Sequence, residues 1–347
     1  MNGLSFAAVN LSKEEIQMTE VIVLTDQDVE NLVTFEETME VVEKAFADWT
    51  LSKSHIFPVV REEIKKHQGI FGIKSGYLEE QEALGFKAGG FWVNNKDKGL
   101  TNHQSTMVLF DPATGQPQAL VAANFVTKIR TAALGALGLK YLARPDSRVL
   151  AVIGAGLQGR NQLEAALKIL PGVREIYLYD IYHAGALKLA QDLSHYPQEI
   201  KVVTHPEEAC RAANVIITAA SSYQAIVMAP WIKPGTHINA IGTDTRGKQE
   251  LDPQIFAMAK VVVDSMDQCL YLGECQHAYD QGIISRDSIH GEIGELITGR
   301  KPGRENPLEI TIFDTTGVAL QDLATAGLAV NRAKEKGVGV RVNFLGK

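Results

Sequence analysis

The chain of 347 residues has little cysteine, no large excess of either charge and no long apolar run. Its three cysteines, Cys210, Cys269 and Cys275, are scattered and odd in number, so they build no disulfide framework and fit a reducing, cytoplasmic compartment. Lys and Arg number 34 against 41 Asp and Glu, a formal charge of −7. That balance argues against a nucleic-acid binder, which usually carries a basic face, yet leaves room for a local basic pocket. No apolar stretch reaches the length of about 18 residues that a membrane helix needs. Leu4 to Val9 is too short for a secretory core and follows no Lys or Arg, and the residues before Met18 read as a disordered leader or an over-called start. Glu274, Cys275 and His277 lack a fourth partner at ligand spacing, so no metal site is expected.

What is present is an ordinary globular composition, 45% hydrophobic and 22% charged, long enough for about two domains. Val21 to Leu24 reads as a strand. Val29, Leu32, Val33, Met39, Val42 and Ala45 give helical spacing over one helix from Asp26 to Leu51. From Phe57 to Val121 short apolar runs are broken by Gly, Asn and Asp, and Asp111-Pro-Ala-Thr-Gly115 marks a turn, which predicts a β-sheet with hairpins. Phe125 to Leu142 reads as a helix. Strands then alternate with helices up to a closing helix, Val318 to Lys336, ending at Gly337. The expected fold class is α/β: a doubly wound parallel (Rossmann) sheet over residues 126–330, with a second α+β domain from residues 18–125 plus 331–347. The tail alternates Val338, Val340, Val342 and Phe344, which suits a strand returning to the first domain.

Gly154-Ala-Gly156-Leu-Gln-Gly159 follows the apolar strand Val149 to Ile153 and opens a helix. Gly154 permits the tight turn, Gly156 lets backbone approach a pyrophosphate, and Gly159 lets helix and strand pack closely. Free amides at the helix start then face the phosphate charge. A lone GxGxxG is weak evidence, but here Asp180 ends the next strand, 21 residues beyond Gly159. A carboxylate there accepts both ribose hydroxyls and repels a 2′-phosphate. No Arg follows in Ile181, Tyr182 and His183, so NAD is favoured over NADP.

Lys128-Ile-Arg-Thr-Ala-Ala133, Ile153-Gly-Ala-Gly-Leu-Gln158, His237-Ile-Asn-Ala-Ile-Gly-Thr-Asp244, Gly247-Lys-Gln-Glu-Leu-Asp252 and Ile312-Phe-Asp-Thr-Thr-Gly317 occur in one order along the chain. In these stretches the sequence resembles the ornithine cyclodeaminase/mu-crystallin family over nearly its whole length after Met18. It most resembles those members that reduce iminosuccinate to L-aspartate, through Phe57-Pro-Val-Val-Arg-Glu62, Lys74-Ser-Gly76, Asn102-His-Gln-Ser-Thr106, Gly242 to Pro253 and Gly273-Glu-Cys-Gln-His-Ala278. His103 and Gln104 replace a Leu/Pro-Thr segment of the cyclodeaminases, and Arg246 a proline, which argues against ornithine cyclisation.

The resemblance implies an NADH-dependent imine reductase and a homodimer, with the first domain and the tail binding substrate and forming the interface. It makes Lys87 a catalytic lysine that orients an α-carboxylate and gives a proton to an imine nitrogen. Arg130 would grip the substrate carboxylate close to the cofactor, and Asp244 would stabilise the cationic nitrogen. Arg61, Lys74, His103 and Gln104 would serve a second, distal carboxylate. The remaining cofactor positions are Thr131, Leu157, Gln158, Thr218, Gly242, Thr243, Lys248 and Thr315. Without the resemblance, a solvated strand lysine, a surface helix arginine and an Asx-turn aspartate are the plain readings of Lys87, Arg130 and Asp244. Open alternatives are an alanine dehydrogenase, a cyclic ketimine reductase, a cyclodeaminase that recycles its NAD, and a non-catalytic small-ligand binder.

Overall fold

The computed structural model describes residues 20–344; the proposed leader lies outside them. The chain opens with β1 (Glu20–Leu24), α1 (Asp26–Leu32) and α2 (Phe35–Thr50). The single helix expected over 26–51 is thus two. Thr34 starts the second: its hydroxyl accepts the Glu37 N–H and its own N–H donates to the Glu37 carboxylate, a reciprocal cap. Thr25 and Asp28 do the same for α1. Two sets of terminal amides are satisfied where a single helix would have had one.

The expected sheet follows as β2 (Ser54–Ile56), β3 (Val60–Ile64), β4 (Gly69–Leu78), β5 (Ala83–Trp92), β6 (His103–Phe110) and β7 (Pro117–Ala122). Asp111 makes the β6–β7 turn, its Oδ1 accepting the N–H groups of Ala113 and Thr114. The chain then forms α3 (Asn124–Leu142), β8 (Val149–Ile153), α4 (Leu157–Ile169), β9 (Glu175–Tyr179), α5 (His183–Asp192), β10 (Glu199–Val202), α6 (Pro206–Ala212) and β11 (Val215–Thr218). There follow β12 (Tyr223–Val227), β13 (His237–Ala240), β14 (Gln249–Leu251), β15 (Ala259–Val263), α7 (Met266–Leu272), α8 (Cys275–Asp280), β16 (Gly291–Glu292) and α9 (Ile293–Ile297). It closes with β17 (Ile310–Asp314), α10 (Ala319–Lys336), stopped by left-handed Gly337, and β18 (Val340–Asn343).

Two eight-stranded sheets result. The first runs β18-β1-β7-β6-β5-β4-β2, with β3 also on β4, and the tail strand β18 lies antiparallel to β1. The second runs β10-β9-β8-β11-β13-β17-β15-β16, and every pair in it is parallel. Its order reverses between β8 and β11, which opens a crevice at the carboxyl ends of those strands. The α/β class with a second α+β unit is as expected. The helix α3 is apolar on nearly every side and is buried between the two layers, touching α2, α4, α10, β13 and β17. In turn, α10 packs on α2, α3, β4 and β5. Among the described residues no helix is long and apolar enough to cross a membrane. Replacing Thr34 by Ala removes the cap that starts α2. It is expected to lower the unfolding free energy by about 1 kcal/mol without changing any ligand affinity, as read by chemical denaturation.

Candidate active site

The nucleotide motif sits at the reversal of the parallel sheet. Gly154 has φ +107°, and a Cβ there would lie 2.6 Å from the Ala219 backbone. A Cβ on Gly159 would lie 1.8 Å from the Gly154 carbonyl, so only glycine lets α4 come this close to β8. A Cβ on Gly156 would meet nothing within 4 Å, and no side chain caps the first amides of the 13-residue α4. Asp180 follows β9. Its Oδ2 accepts the Ala155 N–H at 2.7 Å and its Oδ1 the Tyr182 N–H at 2.8 Å, which holds the carboxylate beside the glycine turn. Leu157, Ile181 and Tyr182 are exposed around it. Open backbone, uncapped amides, a fixed carboxylate and an apolar rim fit a dinucleotide. Gln158, in the first turn of α4, has its side-chain carbonyl buried and without a protein partner, and Thr218 is buried at the end of β11.

The substrate half is set by strand register. Arg61 pairs with Gly72, Lys74 with Lys87, Lys87 with Met107, and Phe91 with His103. Directly paired residues project to one face, and residues two apart share it. Arg61, Lys74, Lys87 and His103 therefore line a single face, with Gly72 and Gly89 leaving it bare between them. Gln104 is one residue out of phase and belongs to the opposite face. Its amide bonds to the carbonyl and hydroxyl of Thr101, so the structure does not bring it to the other four.

This face meets α3, α10 and the loops after β13 and β17. The Lys87 Nζ donates to Asp322 Oδ1 at 2.7 Å and to the Thr127 hydroxyl at 3.3 Å. Arg130 Nε donates to the same Asp322 Oδ1 at 2.9 Å, and its Nη1 to Gln321 at 2.7 Å. The Lys74 Nζ donates to the carbonyls of Thr316 at 3.1 Å and Gly317 at 2.6 Å. Arg61 reaches the Asp244 carbonyl and the Thr245 hydroxyl, with its Nη2 3.9 Å from the Asp244 carboxylate. Lys248 pairs with Asp244 at 2.8 Å. Thr131 spends its hydroxyl on the Thr127 carbonyl.

Burial, then Arg130 and Lys74, push Lys87 down to about 7, while Asp322 pulls it up. Burial and Arg130 also lower Lys74. His103 is pushed down to about 4 by burial, with Lys87 and Arg130 adding to it, so its ring is neutral near pH 7. Enclosure opposes ionisation of Asp244, but Lys248 and Arg61 outweigh it and hold this carboxyl well below its ordinary range.

A layer of buried carboxylates behind the site escaped the sequence reading. Asp264 accepts the N–H groups of Thr316 and Gly317 at 3.0 and 2.6 Å. In a trans peptide N–H and C=O point opposite ways, so this grip on Gly317 turns the Thr316 carbonyl toward Lys74. Glu274 accepts the N–H groups of Glu250 and Leu251 and the Thr243 hydroxyl. Glu250 accepts those of Ala220 and Ser221 and packs on Gly242. Asp314 accepts those of Glu274 and Cys275 and is pushed up to about 7 by burial. His277 bonds to the Lys248 carbonyl, and Thr315 N–H to the Ala240 carbonyl. Asp322 had a visible signal, a Gln-Asp pair inside an otherwise apolar helical stretch, Val318 to Ala324.

A sequence profile of the ornithine cyclodeaminase/mu-crystallin family matches residues 19–337. The iminosuccinate reductase of Paracoccus denitrificans is 40% identical over 93% of this chain and 100% of that protein. Its structure in complex with NAD+ superposes with a TM-score of 0.86, covering 93% of this chain and 99% of that one. An archaeal alanine dehydrogenase dimer with bound NAD is 39% identical, with a TM-score of 0.89 over 94% of this chain and 99% of the other. The Thermococcus litoralis Δ1-pyrroline-2-carboxylate reductase, solved with NADH and L-proline, is 36% identical, with a TM-score of 0.89 over 93% and 100%.

With Lys87 at about 7, the fold bears the full cost of a buried ammonium below that pH. The cost falls away as pH rises toward the ordinary lysine range. The stability of the protein relative to its Lys87→Met variant should therefore rise by roughly 2–3 kcal/mol between pH 7 and 9.5. Denaturant titrations at both pH values check this, and a difference that does not change with pH would refute the shift.

Proposed function

The chain belongs to the ornithine cyclodeaminase/mu-crystallin family, and we propose that within it the protein is an NADH-dependent reductase of a dicarboxylic imine, converting iminosuccinate to L-aspartate. One observation carries the substrate class. Arg61, Lys87, Arg130 and Lys248 share two carboxylates, Asp244 and Asp322, as their ion-pair partners. Lys74 makes no ion pair among the described residues and is held by two carbonyl oxygens alone. Lys74 is thus a cation in the cleft with no anionic partner of its own, and the second carboxylate of a dianion offers it one that a monoanion does not.

Bound at Gly154, Gly156, Gly159 and Asp180, NADH supplies the hydride. The chain's own groups do the rest. Arg130 and Lys87 take the α-carboxylate and fix the reacting carbon. An ammonium titrating near neutrality gives up its proton readily, so Lys87 protonates the nitrogen. Asp244, kept ionised by Lys248 and Arg61, stabilises the cationic nitrogen. Lys74 and Arg61 hold the distal carboxylate, with neutral His103 able to donate one hydrogen bond.

The first sheet supports the homodimer as the assembly. Val340, Val23, Leu120, Val108 and Phe86 are paired in sequence across five strands. They form an apolar row on the face turned away from Ile22, Leu24, Met107 and Val121 in the core. A second copy covers such a face. All three cysteines are free and buried, which supports the cytoplasmic placement.

NADH oxidation at high ammonium, with oxaloacetate, pyruvate and a cyclic imine offered separately, is expected to be fast with oxaloacetate and to yield L-aspartate. Preference for pyruvate or the cyclic imine would overturn the substrate and keep the hydride chemistry. No oxidation with any of the three would favour a cyclodeaminase or a ligand-binding protein. Lys87→Ala should abolish turnover while sparing NADH binding, and Asp180→Ala should weaken NADH binding about tenfold, near 1.4 kcal/mol. Fluorescence titration with NADH separates the two effects.

A further inference from the structure

We propose that Asp322 is a positioning residue for the reaction: one carboxylate oxygen, Oδ1, accepts from both the Lys87 ammonium and the Arg130 guanidinium and ties proton donor and carboxylate grip to a single point. The inference rests on the reading of Lys87 as proton donor. Asp322 is 1% exposed and Lys87 and Arg130 are 8% and 7% exposed, so Asp322 acts on substrate only through these two cations. Its helix cannot drift, because Leu320, Leu323, Ala324 and Ala326 are buried around it. The neighbouring Gln321 takes the Nη1 of the same Arg130. Two adjacent polar residues of an apolar helix thus converge on one guanidinium.

Stability alone does not account for this arrangement. A buried ion triad is often no more stable than apolar side chains of the same volume. Moreover, the second oxygen of Asp322 and the amide nitrogen of Gln321 have no protein partner. What the triad does provide is a charge. The groups facing Lys87 are Asp322 from α10, Arg130 and Thr127 from α3, Lys74 from β4 and His103 from β6. His103 is neutral near pH 7, Arg130 and Lys74 repel a proton on Lys87, and burial opposes it. Asp322 is the one charged group among them that favours the protonated form. It therefore keeps a proton donor available at neutral pH, at a distance from Arg130 that both bonds fix.

The test is the pH profile of kcat for Asp322→Asn and Asp322→Glu, with NADH, oxaloacetate and ammonium. Dividing each variant's profile by that of the wild type cancels the pH dependence of imine formation. In the wild type kcat is expected to fall as pH rises through about 7. Asp322→Asn should move that limb at least one unit lower and cut kcat at pH 7 by about fivefold or more, with NADH affinity unchanged. Asp322→Glu keeps the charge but displaces it by one methylene, so its limb should stay in place while kcat falls. A merely structural role would lower the melting temperature and leave the limb where it is. An Asn variant with the wild-type limb overturns the proposal. If that variant does not fold, a Glu variant whose limb has moved, or whose kcat matches the wild type, does so. Loss of turnover in Lys87→Ala together with an unmoved Asn limb sinks the role of Asp322 alone, whereas turnover retained in Lys87→Ala sinks the proton-donor reading and this inference with it.

Discussion

The structure depends on meeting buried positive charge at the seam between two sheets. Lysine and arginine leave water only where another group answers their charge, and an unanswered one is destabilising by several kcal/mol. Here Lys87 comes from the first sheet, Arg130 from the helix between the layers and Asp322 from the closing helix. The three can meet only if the chain's last long helix returns to the face of its first sheet. The tail strand then adds to β1, so the end of the chain completes the sheet its beginning started.

Around that seam the backbone is held by carboxylates used as acceptors. Asp264, Glu250, Glu274 and Asp314 each take two N–H groups, from the loops after β17 and β11, from β14 and from the junction of α7 and α8 respectively. Loops at the carboxyl ends of parallel strands carry the chemistry of doubly wound sheets, and they are the least constrained parts of the fold. Buried acceptors fix the peptide planes, and the planes fix where carbonyls point. The pair of carbonyls that holds Lys74 is one result. Cys275, suggestive beside Glu274 and His277 in the sequence, is buried and held in this same layer by the Asp314 carboxylate.

The two halves of the site obey different local rules. The nucleotide half is contiguous in sequence and is made by steric limits at Gly154 and Gly159, which no side chain would satisfy. The other half is assembled from β3, β4, β5, β6, α3, two loops and α10. Its order comes from strand pairing, where a shift of one residue moves a side chain to the other face. Gln104 illustrates this: it adjoins His103 in the chain yet faces away from Lys87.

By itself the sequence determined the elements, because apolar period, turn residues and glycine sterics act over a few residues. The strand-glycine-helix-acid order of the nucleotide motif, the sheet between Phe57 and Val121 and the returning tail were all legible on that basis. The break at Thr34 was hidden, since apolar spacing runs on through a cap. The cationic face could be named from a resemblance, but its partners could not. Asp322 lies 235 residues from Lys87, and Asp264 lies 52 from Thr316. No periodicity links such pairs; tertiary structure alone decided that a carboxylate would answer two cations there, because only close packing removes the water that would otherwise have done so.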